Sequence, residues 1–267
     1  MKRYARKLGV ILIITIMIAT VGCGAAADET GLGRETIAQV STIDAILDGV
    51  YDGVTSYGDL RKYGDFGLGT FTGLDGEGIF LDGEFYQVKA DGKVYPVSDD
   101  MTTPFAAITW FDTDTTVDIS EAMTNAQFTA MLDEILPSEN MFYAVKISGD
   151  FSYMKTRSVP GQQKPYPPLV DVTAHQPEFE MENVSGTIVG FRCPPYVAGV
   201  NVVGYHLHFI TDARDAGGHI LDFTISNAVV EVDYTSDFYM ILPAADSDFY
   251  KADFGKDRSG EVEQAEK

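Results

Sequence analysis

The stretch Gly204-Tyr-His-Leu-His-Phe-Ile-Thr-Asp-Ala-Arg-Asp-Ala-Gly-Gly-His-Ile-Leu-Asp-Phe223 holds three of the four histidines in the chain. His206 and His208 lie two apart in an apolar, aromatic run that predicts a β-strand, so both rings should point to one face. The polar, glycine-containing segment 211–218 predicts a hairpin loop, after which His219 begins the returning strand. If His219 pairs opposite His208, three imidazoles converge, as in a catalytic zinc-type site with an open coordination position. The competing interpretation is a group of core or surface histidines that bind no metal.

The first part of the chain is predicted to be an export signal rather than part of the fold. Residues 1–22 combine a positively charged start with an apolar run that is too short for a stable membrane span. The sequence Thr20-Val21-Gly22-Cys23 resembles a bacterial lipobox in which Thr20 replaces the usual leucine, and Ala25 to Ala27 offer an ordinary cleavage site instead. We therefore expect an exported protein, extracellular or held at the outer face of the bacterial membrane only through a lipid on Cys23.

The charge and cysteine content exclude some classes of partner. Removing residues 1–22 takes away four of the 19 basic residues and none of the 40 acidic ones, which leaves 15 − 40 = −25. Such a charge argues against binding to nucleic acid or anionic lipid and favours a solvated surface. With Cys23 lipidated or removed, Cys193 has no disulfide partner, and its apolar neighbours predict a buried, unreactive thiol.

The pattern along the chain predicts an α+β fold with mixed β-sheets in two related strand-rich halves and few helices. Helices are predicted at Ser41–Gly49, at Ser56–Tyr63 and at Thr124–Leu136, where Thr124 and Gln127 fit a capping box. Strands are predicted within 67–88 between glycine turns, and at 105–111, 141–149, 184–191, 199–210, 218–224 and 227–234. Residues 155–168 are predicted to form a long ordered loop, and the acidic tail from Asp246 at most a weak helix.

The predicted organisation has four parts. After the signal in residues 1–22 come a tether (23–36), an N-terminal α+β half (37–157) and a β-rich half with the metal site and the acidic tail (158–267). The two halves contain one short pair of similar segments, Gly69-Thr-Phe-Thr-Gly73 and Gly186-Thr-Ile-Val-Gly190, each followed by an apolar strand. Chance explains a match of this length about as well as a common origin of the halves does.

The chemistry of a three-histidine metal site indicates what else the site needs. Such a metal keeps its positive charge, so it can polarise a carbonyl or hydroxyl oxygen and stabilise an enolate. A small, oxygen-rich anion would be a fitting substrate, and Arg157 is the candidate for binding it, because a guanidinium binds a carboxylate through two hydrogen bonds. Arg192 and Arg214 are rival cations, and a surface-loop arginine is the simpler interpretation of Arg157. Glu77, with Glu84 as the alternative, begins an apolar strand, where desolvation would raise its pKa toward use as a general acid.

Five motifs carry a resemblance to a known family. They are Leu47-Asp-Gly-Val-Tyr-Asp-Gly53, Gly64-Asp-Phe-Gly-Leu-Gly-Thr-Phe71, Leu74-Asp-Gly-Glu77, Asp82-Gly-Glu-Phe-Tyr86 and Gly204-Tyr-His-Leu-His-Phe209. In this order they span most of the chain from Ser41 to Asp253, which resembles the bacterial α-acetolactate decarboxylases.

The resemblance implies a function and a set of site residues. The family converts 2-acetolactate, a 2-hydroxy-3-keto acid, to acetoin and carbon dioxide with a zinc ion held by three histidines. It implies that His206, His208 and His219 bind Zn²⁺, that Arg157 and Glu77 are active-site residues, and that Thr70 lies near them. A second active-site glutamate belongs to the tail, where Glu261, Glu263 and Glu266 are available and we predict Glu266. The resemblance also implies an α+β fold with mixed sheets, and a homodimer.

Two alternatives remain open at this point. A cupin-like metal oxygenase or isomerase also carries His-x-His on a strand with an acid soon after, and Asp212 follows His208 by four residues. Cupins usually have glutamate there, and their second histidine motif is not evident in this sequence. The other alternative is an exported, non-catalytic binding lipoprotein of the same fold, against which the presence of all three histidines and Arg157 argues. The chain shows no glycine-rich phosphate-binding motif that would indicate an organic cofactor.

Overall fold

A computed structural model of the chain describes residues 30–266. The predicted signal segment, Cys23 and the first part of the predicted tether lie outside these residues. Within 30–266, the helices are all too short or too polar to cross a membrane.

The elements alternate between short helices and many strands. The helices are α1 (Ile43–Leu47), α2 (Tyr57–Leu60), α3 (Asn125–Ile135), α4 (Leu169–Thr173) and α5 (Ser259–Glu266). The strands are β1 (Thr36–Val40), β2 (Thr55–Ser56), β3 (Phe66–Thr70), β4 (Glu77–Leu81), β5 (Glu84–Val88), β6 (Val94–Pro96), β7 (Thr102–Thr103), β8 (Ala106–Thr109), β9 (Thr115–Ile119), β10 (Met123–Thr124), β11 (Phe142–Arg157), β12 (Glu178–Cys193), β13 (Gly204–Thr211), β14 (Gly217–Thr235) and β15 (Asp237–Ile241). The strand-rich α+β fold predicted from the sequence is confirmed.

The first sheet has seven strands in the order β15-β1-β8-β3-β4-β5-β6. Its neighbours run antiparallel except β1 and β15, which are parallel, so the sheet is mixed. Strand β4 lies in the interior of this sheet and begins at Glu77, which faces Thr70 of β3 in the register. The sheet therefore places Glu77 and Thr70 side by side at one end of two central strands.

The second sheet is built around three long antiparallel strands. Its order is β10-β14-β11-β12-β13, with β9 also pairing with β14 and with a further pairing between β13 and β14. The predicted strands at 218–224 and 227–234 form one continuous strand, because register shifts between Asp150 and Tyr153 of β11 let the pair bend without ending. For the same reason β11 continues to Arg157, so the first residues of the predicted loop 155–168 are strand.

The two sheets share one apolar core, in which side chains of both meet. Phe66 and Leu68 of the first sheet belong to the same buried cluster as Val189 and Phe191 of the second, and the rings of Phe66 and Phe191 lie 6.2 Å apart edge to face. Cys193 is buried in this cluster, and burial raises the pKa of its thiol to about 12, which agrees with the predicted unreactive role.

Helix α3 covers a separate cluster on the second sheet. Its capping box is formed as predicted, with the Thr124 hydroxyl accepting from the backbone N–H of Gln127 and the Gln127 side chain accepting from the backbone N–H of Thr124. Phe128 and Leu132 are fully buried on one face, and the Phe128 ring packs 5.8 Å from that of Phe223 on β14. Helix α3 thereby supports the strand that carries His219.

Sheet membership does not follow the order of the chain. Strands β9, β10 and β11, all before residue 158, belong to the second sheet, whereas β15 returns to the first sheet beside β1. The predicted boundary after Arg157 falls at the end of a strand of the second sheet. The tail, predicted to form at most a weak helix, ends in α5, which spans eight residues.

Candidate metal centre and catalytic cavity

The three histidines of the quoted stretch converge as the strand pattern predicts. His206 and His208 share one face of β13, and His208 pairs directly with His219 of β14 across the ladder. The three ring centroids lie 5.1–5.3 Å apart, and one nitrogen from each ring lies within 4.8 Å of the others. All three side chains are buried.

Backbone carbonyls determine which nitrogen of two rings is available to a ligand. His208 Nδ1 lies 2.8 Å from the Gly78 carbonyl, and His219 Nε2 lies 3.1 Å from the Glu266 carbonyl. Because a carbonyl oxygen only accepts, each of these nitrogens carries its hydrogen, and lone pairs remain on His208 Nε2 and His219 Nδ1. Both of these nitrogens are buried, and within residues 30–266 neither has a hydrogen-bond partner. The three histidines therefore fit a metal ion whose ligand rings are oriented by hydrogen bonds from their other ring nitrogens.

Burial also keeps the three rings in the state that binds metals. Desolvation, assisted by the positive charge of Arg157, lowers the pKa of His206 to about 3 and places the pKa values of His208 and His219 well below their usual range. The imidazoles are therefore neutral at physiological pH, and a neutral imidazole is a metal ligand.

Arg157 connects the histidines with two buried carboxyl groups. It is the last residue of β11 and pairs with His219 of β14 in the register. Its Nη1 lies 3.3 Å from Glu77 Oε1 and its Nη2 lies 3.5 Å from Glu266 Oε2. Arg157 Nη2 also donates to the Ala265 carbonyl, at 3.0 Å, whereas Arg157 Nε is buried and unpaired within the described residues. These hydrogen bonds use two of the five N–H donors of the guanidinium, so Nε–H and further Nη hydrogens are left for a bound anion.

Both carboxyl groups hold protons more tightly than in water. Burial raises the pKa of Glu77 to about 7, with Arg157 acting in the opposite direction and Glu266 adding to the rise. Burial likewise raises the pKa of Glu266, partly offset by Arg157. Glu266 Oε2 lies 3.4 Å from His206 Nε2 and 3.7 Å from His219 Nδ1, and Glu77 Oε2 lies 3.8 Å from His208 Nε2. Glu77 can therefore store and deliver a proton near neutral pH beside the histidines, and Glu266 is a second buried carboxyl group close to them.

Beside His219, one small cavity is lined by Arg157, the two carboxyl groups, His206 and His208 and, on its apolar side, by aliphatic and aromatic residues. Its volume is about 30 Å³, on the scale of one or two water molecules. Thr70 lines it, and the Thr70 hydroxyl donates to the Gly76 carbonyl at 2.8 Å, which orients the turn before Glu77. The apolar side is formed by Ile43, Ile46, Leu74, Phe105, Val159 and Leu169. Nothing in the sequence marks these six as cavity residues, because the same residue types fill the core.

The rival residues considered from the sequence lie elsewhere. Arg192 pairs with Asp133, 3.1 Å away, and Arg214 donates to the Thr211 carbonyl of its own hairpin. Glu84 and Glu263 are exposed. Asp212, the acid that a cupin-like site would use, is also exposed and does not line the cavity.

The chain is similar to known proteins over most of its length. A family model described as alpha-acetolactate decarboxylase matches residues 37–256. The chain is 54% identical to an alpha-acetolactate decarboxylase of Methanosarcina mazei over 90% of this chain and 83% of that protein. It is 49% identical to one of Methylococcus capsulatus over 88% of this chain and 91% of that protein. The crystal structure of alpha-acetolactate decarboxylase from Bacillus subtilis strain 168 matches with a TM-score of 0.85 and 43% identity, covering 86% of this chain and 99% of that one.

Proposed function

This chain belongs to the α-acetolactate decarboxylase family, and on that premise we propose that it is a carbon–carbon lyase that converts 2-acetolactate to acetoin and carbon dioxide. We propose further that it works with a zinc ion bound by His206, His208 and His219. The observation that carries the proposal is that three buried, neutral imidazoles, a buried arginine and two protonatable carboxyl groups meet in one site, where all of them except His219 line the same cavity.

Arg157 is proposed to bind and orient the substrate carboxylate. Its unpaired Nε and the adjacent Nη atoms form a planar set of donors that suits a carboxylate. Glu77, with its pKa raised to about 7, is about half uncharged at pH 7, which limits its repulsion of the substrate anion. The apolar side of the cavity suits the two methyl groups of acetolactate.

The reaction requires an electron sink and a proton donor. When the bond to the carboxyl group breaks, carbon dioxide leaves and the electron pair moves into the neighbouring ketone, which gives an enediolate. A zinc ion, when bound, supplies positive charge that stabilises negative charge on the substrate oxygens. Glu77 or Glu266 then donates a proton to the carbon that lost carbon dioxide, and delivery to one face gives a chiral acetoin. The ketone itself accepts the electrons, so the proposed reaction needs no thiamine or pyridoxal.

The proposal is tested by following acetoin formation from racemic acetolactate with the purified protein, against a blank without protein. His206→Ala is the test variant, and His175→Ala, which changes an exposed histidine outside the cavity, is its matched control. We expect acetoin from the wild type and from H175A and not from H206A. A folded, zinc-loaded wild type that forms no acetoin would favour the non-catalytic binding protein, and activity that requires iron and oxygen would favour the cupin-like alternative.

Export and dimerisation are also part of the proposal. The charged and apolar pattern of residues 1–22 supports export, Cys23 supports a lipid anchor, and resemblance to the family supports a homodimer. Mass spectrometry of the first residue of the protein isolated from its host, and light scattering of the purified protein, test these points. An unprocessed N-terminus or a monomer would contradict them.

A further inference from the structure

The last described segment, residues 253–266, reaches the cavity only through its final turn. There the Ala265 carbonyl accepts from Arg157 Nη2 and the Glu266 carbonyl accepts from His219 Nε2. The Glu266 side chain is 6% exposed. Two backbone acceptors and one carboxyl group of this segment are therefore in contact with the proposed site residues.

Helix α5 has little intrinsic stability with which to hold that turn in place. It spans eight residues, and isolated helices shorter than about 12 residues are marginal in water. Along the helix only Ala265 and Glu266 are buried, with Val262 partly buried against the core. The position of Glu266 therefore depends on the contacts of its own turn and on how the other end of the helix is fixed.

Arg258 fixes that other end. It immediately precedes α5, its carbonyl accepts from the backbone N–H groups of Glu261 and Val262, and its side chain is only 5% exposed. Arg258 Nη2 forms a charged hydrogen bond with Asp48 Oδ1, and Nη1 lies 2.9 Å from Glu261 Oε2. One guanidinium thus joins the first turn of α5 to Asp48, the residue that caps the C-terminus of α1.

Asp48, to which Arg258 is bound, caps α1, a helix that also forms part of the cavity wall. Ile43 and Ile46 of α1 line the same cavity as Glu77 and Glu266. By binding Asp48, Arg258 therefore holds the tail against α1, which contributes to the apolar lining of the cavity.

We propose that Arg258 is a positioning residue, which acts through Glu266 by anchoring α5 to Asp48 of α1. The consequence for turnover rests on the proposed decarboxylase function, whereas the consequence for α5 does not. Loss of the anchor leaves the metal-binding histidines intact, frees the final turn and moves Glu266 away from the reacting carbon.

The test uses Arg258→Gln and Asp48→Asn, which remove the charge from either partner of the anchor. Lys256→Gln is the matched control, because Lys256 is an exposed cation of the same segment, paired at 3.7 Å with the exposed Asp253. Each zinc-loaded protein is compared by hydrogen–deuterium exchange of peptides covering residues 259–266, by zinc content and by steady-state kinetics. Arg258→Lys, which keeps the charge but not the two-partner geometry, should be intermediate.

We expect faster exchange in α5 for R258Q and D48N, unchanged zinc content, and a kcat lower by about 10- to 100-fold, the scale of a misplacement of about 1 Å. In the Glu266→Gln background, R258Q should cause no further loss, since residues acting through one group are not additive. Wild-type exchange in α5 of R258Q, or the same fold loss of kcat with and without Glu266, would overturn the proposal. If R258Q does not fold, the same measurements on D48N test whether the pair anchors α5. A wild type without acetoin formation would refute the proposed function alone, and the exchange measurements would still decide whether Arg258 anchors α5.

Discussion

His208 and His219 are direct cross-strand partners on β13 and β14, and their ring centroids lie 5.3 Å apart. Each donates one ring N–H to a backbone carbonyl, His208 to Gly78 of the first sheet and His219 to Glu266 of the tail. One residue pair of a single hairpin is thus oriented by two distant parts of the chain. The first sheet and α5 therefore both help to orient the rings of this pair.

Removing one of the three rings should remove the metal. We expect His206→Ala to retain the fold but to lose stoichiometric zinc, because the remaining two ligands leave the site incomplete. Elemental analysis after dialysis measures the effect, with His175→Ala as the control that keeps its zinc. Stoichiometric zinc and normal turnover in H206A would refute the assignment of the ligands.

Arg157→Lys should impair catalysis more than folding. Lysine keeps the positive charge beside Glu77 and Glu266 but has no planar pair of donors for a carboxylate. We expect kcat/KM to fall by about 10- to 100-fold and Tm to change by no more than about 4 °C, the shift that roughly 1 kcal/mol gives in a domain of this size. The same exchange at Arg192, which pairs with Asp133 away from the cavity, is the control. Unchanged kinetics of R157K at limiting and saturating acetolactate would contradict the role.

Substitutions of the tail glutamates by glutamine should differ sharply in their effect on kcat. Glu266→Gln should reduce kcat by about 10²-fold or more, the usual range for loss of a general acid or base. Glu263→Gln, which changes an exposed residue of the same helix, should leave kcat unchanged. Both variants are compared at saturating substrate and equal zinc content. A larger loss in E263Q than in E266Q would show that the tail enters the cavity in a different register.

Asp233 should make stability depend on pH independently of the metal site. Burial, together with the negative charges of Glu35, Asp114 and Asp112, raises the pKa of its carboxyl group to about 7 from 3.8. The folded state therefore binds a proton more tightly than the unfolded state, so stability is greatest below pH 4 as far as this group is concerned, falls as pH rises toward 7, and stays reduced above it. Asp233→Asn should remove this slope.

At pH 8 the D233N variant should be more stable than the wild type by about 2 kcal/mol, given about 1.4 kcal/mol per pKa unit and some screening by solvent. Denaturant unfolding at pH 5, 6, 7 and 8 measures the slope. Glu182→Gln, on an exposed position of β12, serves as the control and should retain the wild-type slope. Parallel curves for D233N and the wild type would contradict the account.

The sequence predicts the metal centre well because its geometry is local. The two-residue spacing of His206 and His208 and one hairpin pairing to His219 determine where the rings meet, and a strand allows little else. The continuation of β11 to Arg157 was not predicted, because residues 155–168 are polar and rich in proline. Yet this continuation places Arg157 opposite His219.

The sequence pattern did not predict the parts of the fold that depend on contacts between residues far apart in the chain. Strand β15 pairs in parallel with β1, although the two strands lie near opposite ends of the described chain, and no local sequence signal indicates that pairing. Helix α5 has few apolar residues, so its weak pattern did not predict a buried Ala265 and Glu266. Their burial depends on Arg157, His219 and Arg258, which belong to other elements or precede the helix.

The most direct test of the central claim is the rate of acetoin formation from racemic acetolactate by the purified protein before chelation, after chelation and after zinc is added back. The account predicts acetoin formation that is lost with the chelator and restored by zinc, with H175A behaving as the wild type and H206A inactive throughout. Acetoin formation that persists in protein shown to be free of metal would contradict the metal-dependent mechanism. A folded, zinc-loaded protein that forms none would contradict the proposed function itself.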